Sequence, residues 1–436
     1  MAVGTRRALH GADRPCVDYL DGPASLPLHR LAVSREVAFW LVAYVFGITI
    51  MGTALPAPLY AIYQGQWHFS AGVVTLIFAV YAVAVLATLL LAGRASDQVG
   101  RKRTLAAALG FSAVSTVVFI LADGVGWLFL GRILSGLSAG LVTGAATAAL
   151  TELAGESGSR RASLVATAAN SGGAGLGPLT AGLFAQYLPR PTVLVFEAYL
   201  GLLVIAALSV ASVPETVTSR QKLAIRFEGL GIPEQGRSEF IAAGLAAFAA
   251  FSLSGLFTSV VPGFLSGVLH QTNYALGGAV AFALFAAATI AALGLARFNS
   301  HPVILAGLGL FVAALALLVA GMSAASLGLF VAAAVVGGSA VGAMSIGSLS
   351  IANRLAPEDR RAQVISTYFL FAYTGLIIPV VGVGFAADAF GDFRATLGCA
   401  IGLAALCTAS AVLITGRGPR LAAAVRTGRH AERRPA

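Results

Sequence analysis

Few side chains in this sequence could do chemistry, because only 11% of its 436 residues are charged. The densest group is Gly93-Arg-Ala-Ser-Asp97-Gln-Val-Gly100-Arg101-Lys102-Arg103, a short turn rich in cations around one carboxylate. Asp97 can accept hydrogen bonds from N–H groups at a nearby helix start. Gly93 and Gly100 permit a tight turn and close helix approach. Elsewhere Arg132 and Glu197 lie inside long apolar runs. An arginine keeps its proton at ordinary pH, so a proton-driven cycle also needs a carboxylate whose proton affinity follows conformation. Glu197 is the candidate; a static pair with Arg132 is the other reading. Bond-making chemistry finds no support. No paired acids, Ser/His/Asp set or metal cluster shares one depth, and no G-x-x-x-x-G-K-[ST] loop is present. Cys16, Cys399 and Cys407 have no disulfide or metal spacing. The histidines fall in tails or loops. Neither a cofactor nor a metal is implied.

The elements that must position these residues are apolar segments. A soluble domain carries roughly 25% charged residues, and a chain this poor in charge and 58% hydrophobic is expected in lipid. A bilayer core needs about 20 apolar residues per helix. Candidate spans occupy 37–58, 70–92, 104–122, 129–152, 162–187, 192–213, 239–262, 276–296, 302–322, 326–352, 363–387 and 395–415. The prediction is an all-α membrane protein of twelve transmembrane helices.

Charge placement orients them. Of the 28 Lys and Arg, the loops on one side hold only Arg190 and Arg394, and Arg132 lies within a span. The rest gather on the other side with both termini, which the positive-inside rule makes cytoplasmic. The net charge of +10 therefore reflects topology, and nucleic acid is not an expected partner. The chain divides into a cytoplasmic tail 1–36, a six-helix bundle 37–213, a linker 214–238, a second bundle 239–416 and a basic tail 417–436. The halves share spacing. Gly136 and Gly140 correspond to Gly338 and Gly342, and Arg160-Arg161-Ala162, Gly175 and Gly182 to Arg360-Arg361-Ala362, Gly375 and Gly382. Such duplication is common in transporters, with the substrate site between repeats near the midplane.

The turn G-x-x-x-D-x-x-G-R-K/R resembles the loop between helices 2 and 3 of the major facilitator superfamily. It departs at Ala95, where the family has a bulky apolar residue, and at Gln98, often a cation. Arg132-x-x-x-Gly136-x-x-x-Gly140 resembles the superfamily's helix 4 motif, whose arginine is implicated in proton coupling. Snorkelling of Arg132 to the outer interface is the competing reading. Gly173-x-x-x-Gly177-Pro178-x-x-Ala181-Gly182 resembles the helix 5 motif of proton-exchanging exporters, departing at Leu164 and Ala181. The 8–9 loop, Ala296–Pro302, is a degenerate second copy of the opening turn. The resemblance implies two pseudo-symmetric bundles, alternating access, a functional monomer, and Gly93, Asp97, Gly100, Arg101, Lys102 and Glu152 as a cytoplasmic gate, in which Glu152 pairs with Arg101 as a latch and not as a proton site. Uncharged polar residues are expected to line the cavity: Thr49, Thr53, Asn170, Ser252, Thr258, Ser345, Asn353, Tyr368 and Tyr373. Any one of them can instead bond its own helix. A lining with few fixed charges suits a neutral, amphipathic or weakly charged molecule. The expected function is proton-coupled efflux of a small organic molecule from the cytoplasm across the inner membrane. Proton-coupled uptake of a sugar or other metabolite is the alternative. A membrane enzyme or sensor is disfavoured, since the outer loops are short and no catalytic set exists.

Overall fold

A computed structural model describes residues 33–93, 95–155, 158–217, 227, 229–267, 273–357 and 360–415, with backbone alone over 259–267. The expected tails (apart from 33–36), Cys16, His270 and the middle of the linker lie outside the described residues.

Among the described residues the chain is helical, with no strand. Twelve long helices follow in order: α1 (Arg35–Ala54), α2 (Ala71–Ala92), α3 (Arg101–Ile120), α4 (Val125–Ala154), α5 (Ser159–Tyr187), α6 (Pro191–Ser212), α7 (Arg237–Gly267), α8 (Tyr274–Leu295), α9 (Ser300–Ser323), α10 (Leu327–Leu355), α11 (Arg361–Phe390) and α12 (Asp392–Thr415). A 3-10 turn, Ala57–Leu59, and a short helix, Tyr60–Trp67, prolong α1. Another short helix, Ala95–Val99, sits in the basic turn. Polar residues set several starts. Ser34, Ser70, Asn273 and Ser326 each accept from a backbone N–H three positions on, which satisfies a donor the helix leaves free.

Among the described residues eleven segments are long and apolar enough to cross a membrane. The other, α5, is 29 residues long but diluted by Thr167, Asn170, Ser171 and its glycines. Helices α4 and α11 have 30 residues each, about 45 Å at 1.5 Å per residue. That exceeds the ~30 Å hydrocarbon core, so their polar turns project beyond it. Outward-facing Ile205, Leu208, Ile290, Ile378 and Ile401 are exposed, as lipid contact requires.

Two main apolar cores form, one from residues between Ala38 and Val213 and one from residues between Ala243 and Cys407. Glycine contacts show how the halves repeat. On α4, a Cβ at Gly136 or Gly140 would strike α2 at Ala84 or Thr88; on α10, one at Gly338 or Gly342 would strike the α8 carbonyls of Leu284 or Ala288. On α5, Gly173 lies against Gly47 O of α1; on α11, Gly375 lies against Phe248 O of α7. The equivalent of Gly375 is therefore Gly173, not Gly175, and the partner of Gly182 is Gly384. Gly382 faces open space. The expected pairing was two residues off because Arg160-Arg161-Ala162 and its later copy occupy different helical registers, α5 beginning at Ser159 and α11 at Arg361.

Candidate functional site

The two ends of the helix assembly differ. At the end away from the basic turn, the halves meet closely. Asp388 on α11 accepts from Gly72 N at the start of α2, 3.1 Å away. One turn further in, Gly384 lies against Thr75. Below them Phe78 and Ala82 of α2 pack with Leu376 and Val380 of α11. On the other flank, Gly182 of α5 meets Tyr274 O and Gly278 of α8, and Gln186 Oε1 accepts from Tyr274 N at 3.0 Å. These contacts seal this far end.

At the basic end the halves separate around a cavity of about 700 Å³. Its walls are Leu89, Leu90, Leu91 and Gly93 of α2 and its end, Gln98, Thr143, Gly144, Thr147, Ala148, Thr151 and Glu152 of α4, and Ala362, Ile365, Ser366 and Phe369 of α11. The three threonines recur every four residues and form one stripe along α4. Each hydroxyl donates to the carbonyl one turn back, at 2.7 to 2.9 Å. Their acceptor lone pairs stay free for a ligand. Opposite them stands the mostly apolar face of α11. The lining is amphipathic, and among the described residues Glu152 is its only carboxylate.

Glu152 is held by a dense network. Arg101 Nη2 and Nε donate to its carboxylate at 2.7 and 3.2 Å, and Thr216 Oγ1 donates to its other oxygen. Arg101 also pairs with Asp97 at 2.5 Å and donates to Ser96 Oγ at 2.6 Å. Arg35 Nη2 reaches Glu152 O at 2.9 Å, and Lys102 Nζ reaches Ala211 O at 2.5 Å. The first N–H of α3, on Arg101, donates not to Asp97 but to Glu215 Oε1 at 2.9 Å. Gly100 turns with φ +110°, a conformation that favours glycine, and a Cβ there would meet the Glu215 carboxylate. Gly93 has ordinary helical φ of −57°. Glu215 and Thr216 escaped the sequence reading because they were assigned to the linker. The signal was present in Pro214-Glu215-Thr216, an acid just past the end of an apolar run.

The far-end expectations fare differently. Arg132 is buried at 2% exposure, so it does not snorkel. Its Nη1 donates to Thr53 O, and its guanidinium lies 4.1 Å from the Tyr81 ring centroid and 5.5 Å from that of Phe78. Glu197 is exposed on α6 and does not meet Arg132; the expected pair is not formed, since Glu197 and the buried side chains Val195, Phe196 and Tyr199 lie on different faces of α6. Gly173 and Gly177 seat α5 against Gly47 and Met51 of α1, with Pro178 inside the helix.

None of the nine residues expected to line the cavity lines this one. Thr49, Thr53 and Thr258 donate to carbonyls of their own helices. Ser252 bridges to Gly375 O at 2.9 Å. Tyr368 bonds Ser348 at 3.0 Å, and Tyr373 packs edge-on to Phe251. Asn353 accepts from Arg361 at 3.3 Å. Ser345 is half-buried and Asn170 exposed. Depth in the membrane was legible, but the face of each helix was not.

His301 lies in the first turn of α9, not in a loop. It pairs through Nε2 with Glu239 on α7 at 3.1 Å, and Arg354 at the end of α10 donates to the same carboxylate.

No curated protein sequence matches the chain. One similar solved structure is a bacterial homologue of the human lysosomal transporter Spinster, in an inward-facing and unoccupied conformation. It shares 16% identity with a TM-score of 0.64, over 87% of this chain and 94% of that one; at that identity the likeness shows the fold. The family model of the Major Facilitator Superfamily matches residues 41–298, more than half of the chain. With two repeated six-helix bundles, one sealed end and a cavity between the halves at the other, this chain belongs to the major facilitator superfamily and is a secondary transporter, not an enzyme.

Proposed function

We propose that the chain exports a small amphipathic organic molecule from the cytoplasm by alternating access, driven by protons moving the other way. The carrying observation is the cavity of about 700 Å³ open between the halves at the basic end while the far end is shut. Cation placement makes the basic end cytoplasmic, so this is a state ready to load from inside. The threonine stripe facing an apolar wall suits a molecule with one polar and one greasy side, and the Glu152 carboxylate tolerates a weak cation. The glycine-rich α5, seated on α1, is the feature shared with exporters. Proton coupling is assigned to Glu152, which the sequence casts only as a latch: it lines the cavity and touches Arg101, so any movement of that pair changes its hold on a proton. Glu197, exposed and apart from Arg132, is set aside.

The test is flux in inside-out vesicles, using a panel of neutral and weakly cationic amphiphiles. Accumulation of a panel member when the vesicle interior is acidic, collapsed by a protonophore, is the expected result. Flux unaffected by a pH gradient sinks proton coupling, and uptake running with the proton gradient replaces export with symport.

A further inference from the structure

The far end holds a buried charge that nothing described neutralises. Arg132 sits among α1, α2 and α4 with no carboxylate in reach among the described residues. Among the described residues its Nε–H has no hydrogen-bond partner, and neither do the hydroxyls of Tyr60 and Tyr63. Both tyrosines are almost wholly buried, at 4% and 2% exposure. They belong to the short helix that prolongs α1. Tyr60 and Tyr81 are within electrostatic range of the guanidinium, and Tyr63 within range of Tyr60. Trp67 stacks on Tyr63 at 4.9 Å.

An isolated buried cation costs several kcal/mol unless it is paired. Ring faces of Tyr81 and Phe78 recover part of this, and one carbonyl recovers a further part. Neither supplies a counter-charge. The unpartnered groups share one character. A guanidinium offers donors only, and a phenol hydroxyl can turn its hydrogen toward an acceptor. Three buried donors without partners, one of them on an uncompensated positive charge, describe a receptor for a small anion.

From this the geometry points to a monoanion site formed by Arg132, Tyr60 and Tyr63, distinct from the cavity at the basic end and separate from the transport reading above. Its occupant is a halide or the carboxylate of an organic molecule. Opening of the α2–α11 seal, which Phe78 shares with the cage, would expose it to the far side.

Binding can be read without transport. The full-length protein in detergent is melted in sodium isethionate, then titrated at constant ionic strength with chloride, bromide or benzoate, with Trp67 contributing to the fluorescence. A saturable rise in melting temperature is expected from linkage. Tyr60→Phe removes only an unbonded hydroxyl and should fold; it is expected to raise the half-saturating concentration at least about tenfold, the lower end of one hydrogen bond to a charge. Arg132→Gln should abolish the response. Saturation by halides identifies a free ion as the occupant, whereas saturation by benzoate alone identifies an organic carboxylate. Melting that ignores all three anions overturns the site, as does a response that Tyr60→Phe and Arg132→Gln leave unchanged. A bromide-soaked crystal with no anomalous peak beside Arg132, in protein that bromide stabilises, overturns the location.

Discussion

The two halves carry a charged cluster at the same place, where the start of the first helix, the start of the third and the end of the fourth come together. In the first half these are Arg35, Arg101 and Glu152. In the second they are Glu239, His301 and Arg354. Each cluster has one acid, but the acid has moved from the fourth helix to the first. The surroundings differ more than the charges. The Arg101 side chain is 10% exposed, and Asp97, Ser96 and Thr216 join it or its partner. In the second half the Arg354 side chain is 55% exposed and that of His301 43%. Ion pairs gain little in water and hold firmly only where desolvated partners satisfy each other. Duplication kept the clamp in both halves, but only the first half buried its cation, beside the cavity; the acid Glu152 is 36% exposed, against 23% for Glu239.

Where the halves agree, matched substitutions should do matched harm. Gly173→Val and Gly375→Val each push a Cβ into a neighbouring backbone carbonyl, and each should destabilise by about 3 kcal/mol, the upper range of overpacking. Gly382→Val, at open space, should melt as wild type does. Unequal damage at the first two would break the equivalence of α5 and α11. Where the halves differ, effects should diverge. Arg101→Ala should slow transport about tenfold, by freeing Glu152 and Asp97, while Arg354→Ala costs about twofold or less. Equal losses in vesicle flux would show that burial does not separate the clusters. Smallest of all is His301→Gln, expected to change stability by under about 0.5 kcal/mol; a larger shift in melting temperature would raise the second cluster to the rank of the first.

Most of the fold was legible because lipid demands long apolar runs and because cations sort to one side. The pairing of Arg101 with Glu152 was legible for a related reason: charges at span ends are few, so partners are few. The cavity wall was not. A helix in lipid is apolar on every face, so no amphipathic stripe marks the side that turns inward. Thr143, Thr147 and Thr151 do form a stripe, but hydroxyls that bond their own helix look alike wherever they point. Glu215 was hidden by position, lying beyond a span in a stretch read as connection. The repeat register slipped because Gly and Ala recur so often that a shift of two still finds matches.

The bond from Asp388 to Gly72 N grips main chain, not a side chain. A clasp of that kind is blind to most substitutions in its partner helix. The residues of α2 can drift with membrane composition or cargo while the fastening persists, provided position 72 stays bare, since a Cβ there would sit 2.8 Å from the Asp388 oxygen. Two positions on opposite halves thus hold the far door, and sequence comparison along α2 alone would pass over it.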